Sequence, residues 1–274
     1  MDRPSDRGAA NADVVVDMYA PIAADYEGIW APLLREFGIK LLDALPLAGA
    51  RRVLDLGCGV GTLFPDIRER APHAVIVGTD LTEGMLRRAP VDMPRAVMDG
   101  TRLGFADAAF DAVVSCFVVF HFPDPTAALQ AVLRATAPAG GMALAVWGSG
   151  QVFPAADVVA RELDALGAPP DPAAAGPPDG NDQVNTPDKL ASVLRGAGYE
   201  DIRTQSAPWV RRWQPEPFVE YRARMGPSNR RLRQLDESAR RDAIERIRER
   251  AAGLTADELT DRYEVVLGSG RAPG

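Results

Sequence analysis

Twelve residues constrain this chain more than any others: Arg51-Arg52-Val53-Leu54-Asp55-Leu56-Gly57-Cys58-Gly59-Val60-Gly61-Thr62. Val53, Leu54 and Leu56 form a short apolar run behind two arginines, which predicts a buried strand. Gly57, Gly59 and Gly61 then allow a tight turn whose backbone can approach a ligand closely. Leu63, Phe64, Ile67 and Ala71 follow at three- and four-residue spacings, a helical pattern. Strand, glycine turn and helix make half of a nucleotide-binding unit.

The ligand is chosen by the residues around the glycines. A dinucleotide fingerprint would need a third glycine at position 62, where Thr62 stands. Asp55 lies two residues before the first glycine, where its carboxylate would repel a pyrophosphate. A ligand with positive centres and no phosphate suits that acid. S-adenosylmethionine (SAM), with its sulfonium and ammonium groups, is such a ligand.

The stretch Val53 to Thr62 resembles the first motif of class I SAM-dependent methyltransferases, in particular the small-molecule group that contains the ubiquinone and menaquinone enzymes. The resemblance runs well over residues 15–206 and loosely beyond. It implies an α/β fold, a Rossmann-like seven-stranded and mostly parallel sheet with helices on both faces. An N-terminal helical lid and a C-terminal helical cap would be added to it. It also implies cofactor contacts at Asp55, Gly57, Cys58, Gly59 and Thr62.

Later stretches extend the pattern in order. Ala74 to Asp80 reads as a second strand ending in an acid, 19 residues after Gly61. Such an acid is placed to accept both ribose hydroxyls, and a helix cap or surface acid is the plainer alternative. Leu81 and Met85 follow on the next turn, where they could sandwich an adenine. Pro94 to Met98 reads as a third strand, and Asp99-Gly100 resembles the family's adenine-side acid, although a turn acid looks the same. Phe110, Val113 and Val114 mark a buried fourth strand, with Asp111 a structural acid at its entrance. Beyond it, Cys116 to Pro125 should line both cofactor and acceptor, because ligands in open α/β sheets sit outside the carboxyl ends of the strands. Cys116 and Phe117 are the expected cofactor contacts there. Asp124-Pro125 starts a helix, Met142 to Trp147 reads as strand five, and Tyr199 to Gln205 as strand six.

Before the core, Tyr19 to Trp30 is similar to the N-terminal segment that closes over the methionine end of SAM. Tyr19 and Tyr26 offer faces that attract a sulfonium, or they simply pack helices, the reading preferred for Trp30. The expected division is a disordered 1–11, a helical lid over 12–50, the SAM-binding core over 51–206, and a helical substrate cap with the last strand over 207–274. Gly167 to Asn185, rich in Pro, Gly, Ala and Asp, reads as a loop or flap. Pro215–Met225 and Asn229–Ala252 read as cap helices, and Tyr263–Leu267 as the last strand.

Composition narrows the class. No apolar run approaches a membrane span, and Met1 to Asn11 is polar, so a cytoplasmic location is expected. Cys58 and Cys116 are the only cysteines, and no Cys/His pattern has zinc spacing, so no metal is expected. The net charge of −7 argues against general nucleic-acid binding. Yet Arg211 to Arg250 holds twelve arginines against seven acids. A solvated helix laced with pairs such as Arg241–Glu245 is the favoured explanation, ahead of a mouth for an anionic acceptor and of RNA binding. Oligomeric state is left open.

Methyl transfer is an in-line displacement, so the protein must align the acceptor, exclude water and, for a hydroxyl, take a proton. His121 is the one histidine near the expected site and the candidate base, with a backbone-bonded histidine in an aromatic cluster as the alternative. The leading expectation is O-methylation of a small molecule in specialised metabolism. Alternatives are C-methylation of a quinone-like carbon and a SAM-fold protein that binds SAM without transferring its methyl, as a pericyclase would. An RNA methyltransferase lacks any added nucleic-acid domain here.

Overall fold

The first strand forms where the apolar run demands it: β1 (Arg52–Leu56) is buried after Arg52. In the computed structural model, which describes residues 4–175 and 180–274 with side chains from Asn11 onward, six further strands join it. They are β2 (Val75–Asp80), β3 (Arg95–Val97), β4 (Phe110–Cys116), β5 (Thr136–Trp147), β6 (Glu200–Arg212) and β7 (Thr260–Arg271). The sheet order is β3-β2-β1-β4-β5-β7-β6. The pairs β1–β2, β1–β4, β2–β3 and β4–β5 are parallel, and β7 runs antiparallel to β5. Val53, Leu54, Ala112 to Val114 and Met142 to Val146 are fully enclosed, as in a parallel sheet covered on both faces. The expected Rossmann-like, mostly parallel seven-stranded sheet is therefore the fold.

By contacts the chain forms two units. The first comprises 1–149, 177–207 and 265–274, and the second 150–176 and 208–264. Residues 150–176 thus group with the C-terminal insertion rather than with the expected core of 51–206.

In the first unit, helix α1 (Pro4–Tyr19) begins well inside the stretch expected to be disordered; residues 1–3 lie outside the described residues. Ala9, Ala10 and Ala12 are strong helix formers and account for the early start. Tyr19 to Trp30 continues as short helical turns into α2 (Ala31–Asp43), which buries Leu34, Phe37, Leu41 and Leu42. The glycine turn leads into α3 (Phe64–Arg70), and α4 (Pro125–Ala135) follows β4. Asp124 caps α4 by accepting from the Ala127 N–H at 2.9 Å. Asp111 is structural as expected, accepting from the Arg51 and Arg52 backbone at 2.7 and 2.9 Å. Between Gly167 and Asn185 the expected loop contains two helical turns, Pro172–Ala175 and Asn181–Val184; residues 176–179 lie outside the described residues.

The second unit holds α5 (Ala156–Ala165), α7 (Pro215–Arg224), α8 (Gly226–Leu232) and α9 (Glu237–Ala252), while α6 (Pro187–Ala197) belongs to the first. One helix was expected over Asn229–Ala252. Asp236 breaks it by capping α9, accepting from the Ala239 N–H at 2.9 Å. Arg241 pairs with Glu237, not Glu245, which instead meets Arg248. Arg222, Arg230, Arg231 and Arg250 are paired with Asp261, Asp171, Asp164 and Glu162. Much of the positive charge in this insertion is thus neutralised inside its own unit. Among the described residues no helix is long and apolar enough to cross a membrane.

Candidate cofactor and methyl-transfer site

The strand order reverses between β1 and β4, and a crevice at such a point is where open α/β sheets bind ligands. Gly57 and Gly59 there have φ of +68° and +55°. A Cβ on Gly57 would also lie 2.2 Å from Val118 Cγ2, so the turn tolerates no side chain there. Asp80, at the end of β2, ties the turn together. One carboxylate oxygen accepts from the Gly59 N–H at 2.9 Å and the other from the Thr82 N–H at 2.8 Å. The Thr82 side chain and the Leu81 N–H also bond to this carboxylate, and together these donors oppose the upward push of burial on it.

A cavity of about 850 Å³, including its open mouth, occupies this crevice. Of the expected residues, Tyr19, Tyr26, Gly57, Gly59, Asp80, Leu81, Met85, Asp99, Gly100, Cys116, Phe117 and His121 line it. Asp55, Cys58 and Thr62 instead line a smaller neighbouring cavity, which shares Tyr26, Gly57, Gly59 and Cys116 with the first. Val118, Phe122 and Pro123 also line the larger cavity, within the Cys116–Pro125 stretch expected to face cofactor and acceptor. Other lining residues escaped the sequence analysis. Asn11 and Val15, from α1, and Arg35, from α2, carry no local motif.

The charges in the two cavities are informative. Asp55 is 2% exposed, and its Oδ2 has no hydrogen-bond partner. Burial, reinforced by the neighbouring Asp80 charge, pushes its carboxyl up to about 7. Arg35 lines the same small cavity, held by Asp66 through Nε–Oδ2 at 2.8 Å and Nη2–Oδ1 at 2.5 Å. An acid and a guanidinium in one cavity match the two ends of an α-amino acid. Asp99 accepts from the Thr101 N–H and hydroxyl at 2.9 and 2.7 Å, so it is a turn acid that also faces the cavity. Burial raises both thiols far above neutrality, so neither Cys58 nor Cys116 is a nucleophile at physiological pH.

The aromatic segment divides by role. Trp30 packs on Trp147, with ring centroids 6.0 Å apart. Tyr19 and Tyr26 meet edge to face at 5.9 Å on the cavity wall. The Tyr19 hydroxyl lies 3.0 Å from His121 Nε2, and the two rings are also edge to face. Burial pushes the imidazole down to about 4, so it is neutral at physiological pH. Phe117 has φ of +60°, an uncommon conformation for a non-glycine residue, at the point where β4 gives way to this loop.

The sheet and its crevice define an α/β protein built to hold a nucleotide-like cofactor. Residues 54–144 match the methyltransferase domain family. The demethylmenaquinone methyltransferase of Beutenbergia cavernae is 31% identical over 172 residues, 59% of this chain and 70% of that protein. A malonyl-[acyl-carrier protein] O-methyltransferase from Dechloromonas aromatica is 34% identical over 118 residues, 43% of this chain and 45% of that protein. Among solved structures, a complex of Haemonchus contortus phosphoethanolamine N-methyltransferase 2 with phosphomonomethylethanolamine and S-adenosylhomocysteine aligns with a TM-score of 0.53 at 16% identity. That alignment covers 87% of this chain and 53% of the other, a likeness of fold. The chain belongs to the class I SAM-dependent methyltransferases, and SAM is its cofactor.

Proposed function

We propose that this enzyme transfers the SAM methyl group to a hydroxyl of a small-molecule acceptor in specialised metabolism. The observation that carries the proposal is a neutral imidazole, His121, on the wall of the cofactor cavity and within hydrogen-bond distance of Tyr19. Asp80 would accept from both ribose hydroxyls, and Leu81 and Met85 would pack on the adenine. Asp55 would take the ammonium end and Arg35 the carboxylate. Asp55 Oδ2 supports this fit, because a buried acceptor without a donor calls for one. When bound, SAM supplies an electrophilic methyl carbon. His121 would remove the acceptor's proton while Tyr19 and Tyr26 close the site and exclude water. The insertion formed by 150–176 and 208–264 is proposed to carry acceptor selectivity.

The test is transfer from methyl-labelled SAM to a panel of phenols, alcohols and quinols, with the new bond located by carbon NMR. A methyl on oxygen supports the proposal. A methyl on a ring carbon replaces it with the second reading, favoured by the named quinone enzyme among the relatives. Acceptors altered with SAM recovered intact would mean a cyclase-like use of the fold.

Two further outcomes are expected. Asp80→Ala should weaken S-adenosylhomocysteine binding by about 1–3 kcal/mol, because ribose hydroxyls lose their acceptor; unchanged affinity in calorimetry removes the ribose assignment. Amide exchange over residues 12–30 should slow when SAM is added, since Tyr19 and Tyr26 lie on the cavity wall. Equal protection with and without SAM would make the segment a static packing element.

A further inference from the structure

The loop that carries His121 is gripped at three carbonyls by parts of the chain far away in sequence. Phe120 O accepts from the Gly180 N–H at 2.8 Å, and Pro123 O from Gln183 Nε2 at 3.0 Å. His121 O accepts from Asn11 Nδ2 at 2.5 Å. Gly180 is buried, and its φ of −86° is open to any residue, so backbone strain does not explain a glycine there. Space does: an added Cβ would lie 2.2 Å from Phe122 O and 2.6 Å from Pro125 Cγ. The turn Asn181–Val184 that follows is itself anchored. Val184 is fully enclosed, and the Asn185 carbonyl accepts from the Ser149 N–H at 3.0 Å, just past β5.

We propose that Gly180 and Gln183 are positioning residues of this methyltransferase, holding Val118–Pro123 so that the His121 ring meets the Tyr19 hydroxyl. Neither residue lines the cofactor cavity, and neither touches a reacting atom. Their action passes through the loop backbone. Helix α1 grips the same residue twice, Asn11 at the His121 carbonyl and Tyr19 at its ring. A shift of the loop by even part of an ångström therefore loosens lid and imidazole together. The consequence for turnover rests on His121 acting as the base. The consequence for the ring's environment does not.

That separation sets the experiment. The chain has only two histidines, and His73 is exposed, so ring-labelled histidine NMR gives one reference signal and one reporter. In the parent protein His121 should show a single neutral tautomer, fixed by its contact with the Tyr19 hydroxyl, and a depressed titration midpoint. Gly180→Ala should raise that midpoint by at least about one unit toward the ordinary value and mix the tautomers. Gln183→Ala should move both in the same direction by less. Binding of S-adenosylhomocysteine should persist in both variants. Unchanged tautomer and midpoint in both, with only a lower melting temperature, would overturn the proposal and leave the turn as scaffolding. If Gly180→Ala does not fold, Gln183→Ala decides by the same readout, since Gln183 is exposed. A protein that binds no S-adenosylhomocysteine would defeat the cofactor assignments while the histidine signals still tested the clamp.

Discussion

His121→Asn is expected to lower turnover by about 10²–10⁴-fold while leaving SAM affinity nearly intact. The imidazole is on the cavity wall, and burial holds it neutral down to about pH 4. A base works in its deprotonated form. With SAM kept saturating at each pH, turnover should therefore hold as pH falls through the neutral range and drop only as pH approaches about 4. In the Asn variant that acid limb should vanish, because the group that titrates is gone. Asn is too short to replace Nε2, so the Tyr19 contact is lost together with the base. Tyr19→Phe is the companion measurement. It removes the hydroxyl 3.0 Å from Nε2 but leaves the base, and should cost less than His121→Asn. Retained turnover with an unchanged acid limb in His121→Asn would assign the histidine to packing. The enzyme would then work by alignment alone, or on an acceptor that arrives ionised.

What could be read from the chain, and what could not, follows from the range of the interactions. The run from Val53 to Thr62 states its strand and turn within a few residues, because burial and left-handed φ values act locally. Asp80 and Asp124 were legible for the same reason: each ends or begins an element and bonds to its neighbours. The pattern did not say which way each side chain faces. Asp55, Cys58 and Thr62 turn into the smaller cavity, while Gly57 and Gly59 touch both. Asn11, Arg35 and Gln183 were invisible because each meets its partner across tens of residues or more. The early start of α1 and the break before α9 were missed because propensity and a single cap outweighed apolar spacing.

Asp55 yields the second large effect, and its sign can be worked out. Its carboxyl, raised to about 7 by burial and by Asp80, is mostly protonated below neutrality in the free protein. A cationic ligand prefers the ionised form, so binding SAM below about pH 7 must expel a proton. Affinity should fall about tenfold for each pH unit below 7 and level off above it. Stability of the free protein has the opposite sense at this group. The folded state binds the proton more tightly than the unfolded chain, so this contribution to stability declines as pH rises from about 4 to about 7. The gain in melting temperature on adding SAM should accordingly be larger at pH 8 than at pH 6. Asp55→Asn removes the charge at every pH while keeping the shape. It should weaken SAM by about 2–5 kcal/mol at pH 8, as truncation of one partner in a buried charge pair does. It should also flatten the pH dependence and stabilise the ligand-free protein at high pH. Calorimetry of both proteins from pH 5.5 to 8.5, a window of roughly a unit and a half on either side of that midpoint, separates these effects. An affinity profile as steep in Asp55→Asn as in the parent would place the titrating group elsewhere, with Asp80, whose carboxyl burial also raises, the next to be replaced.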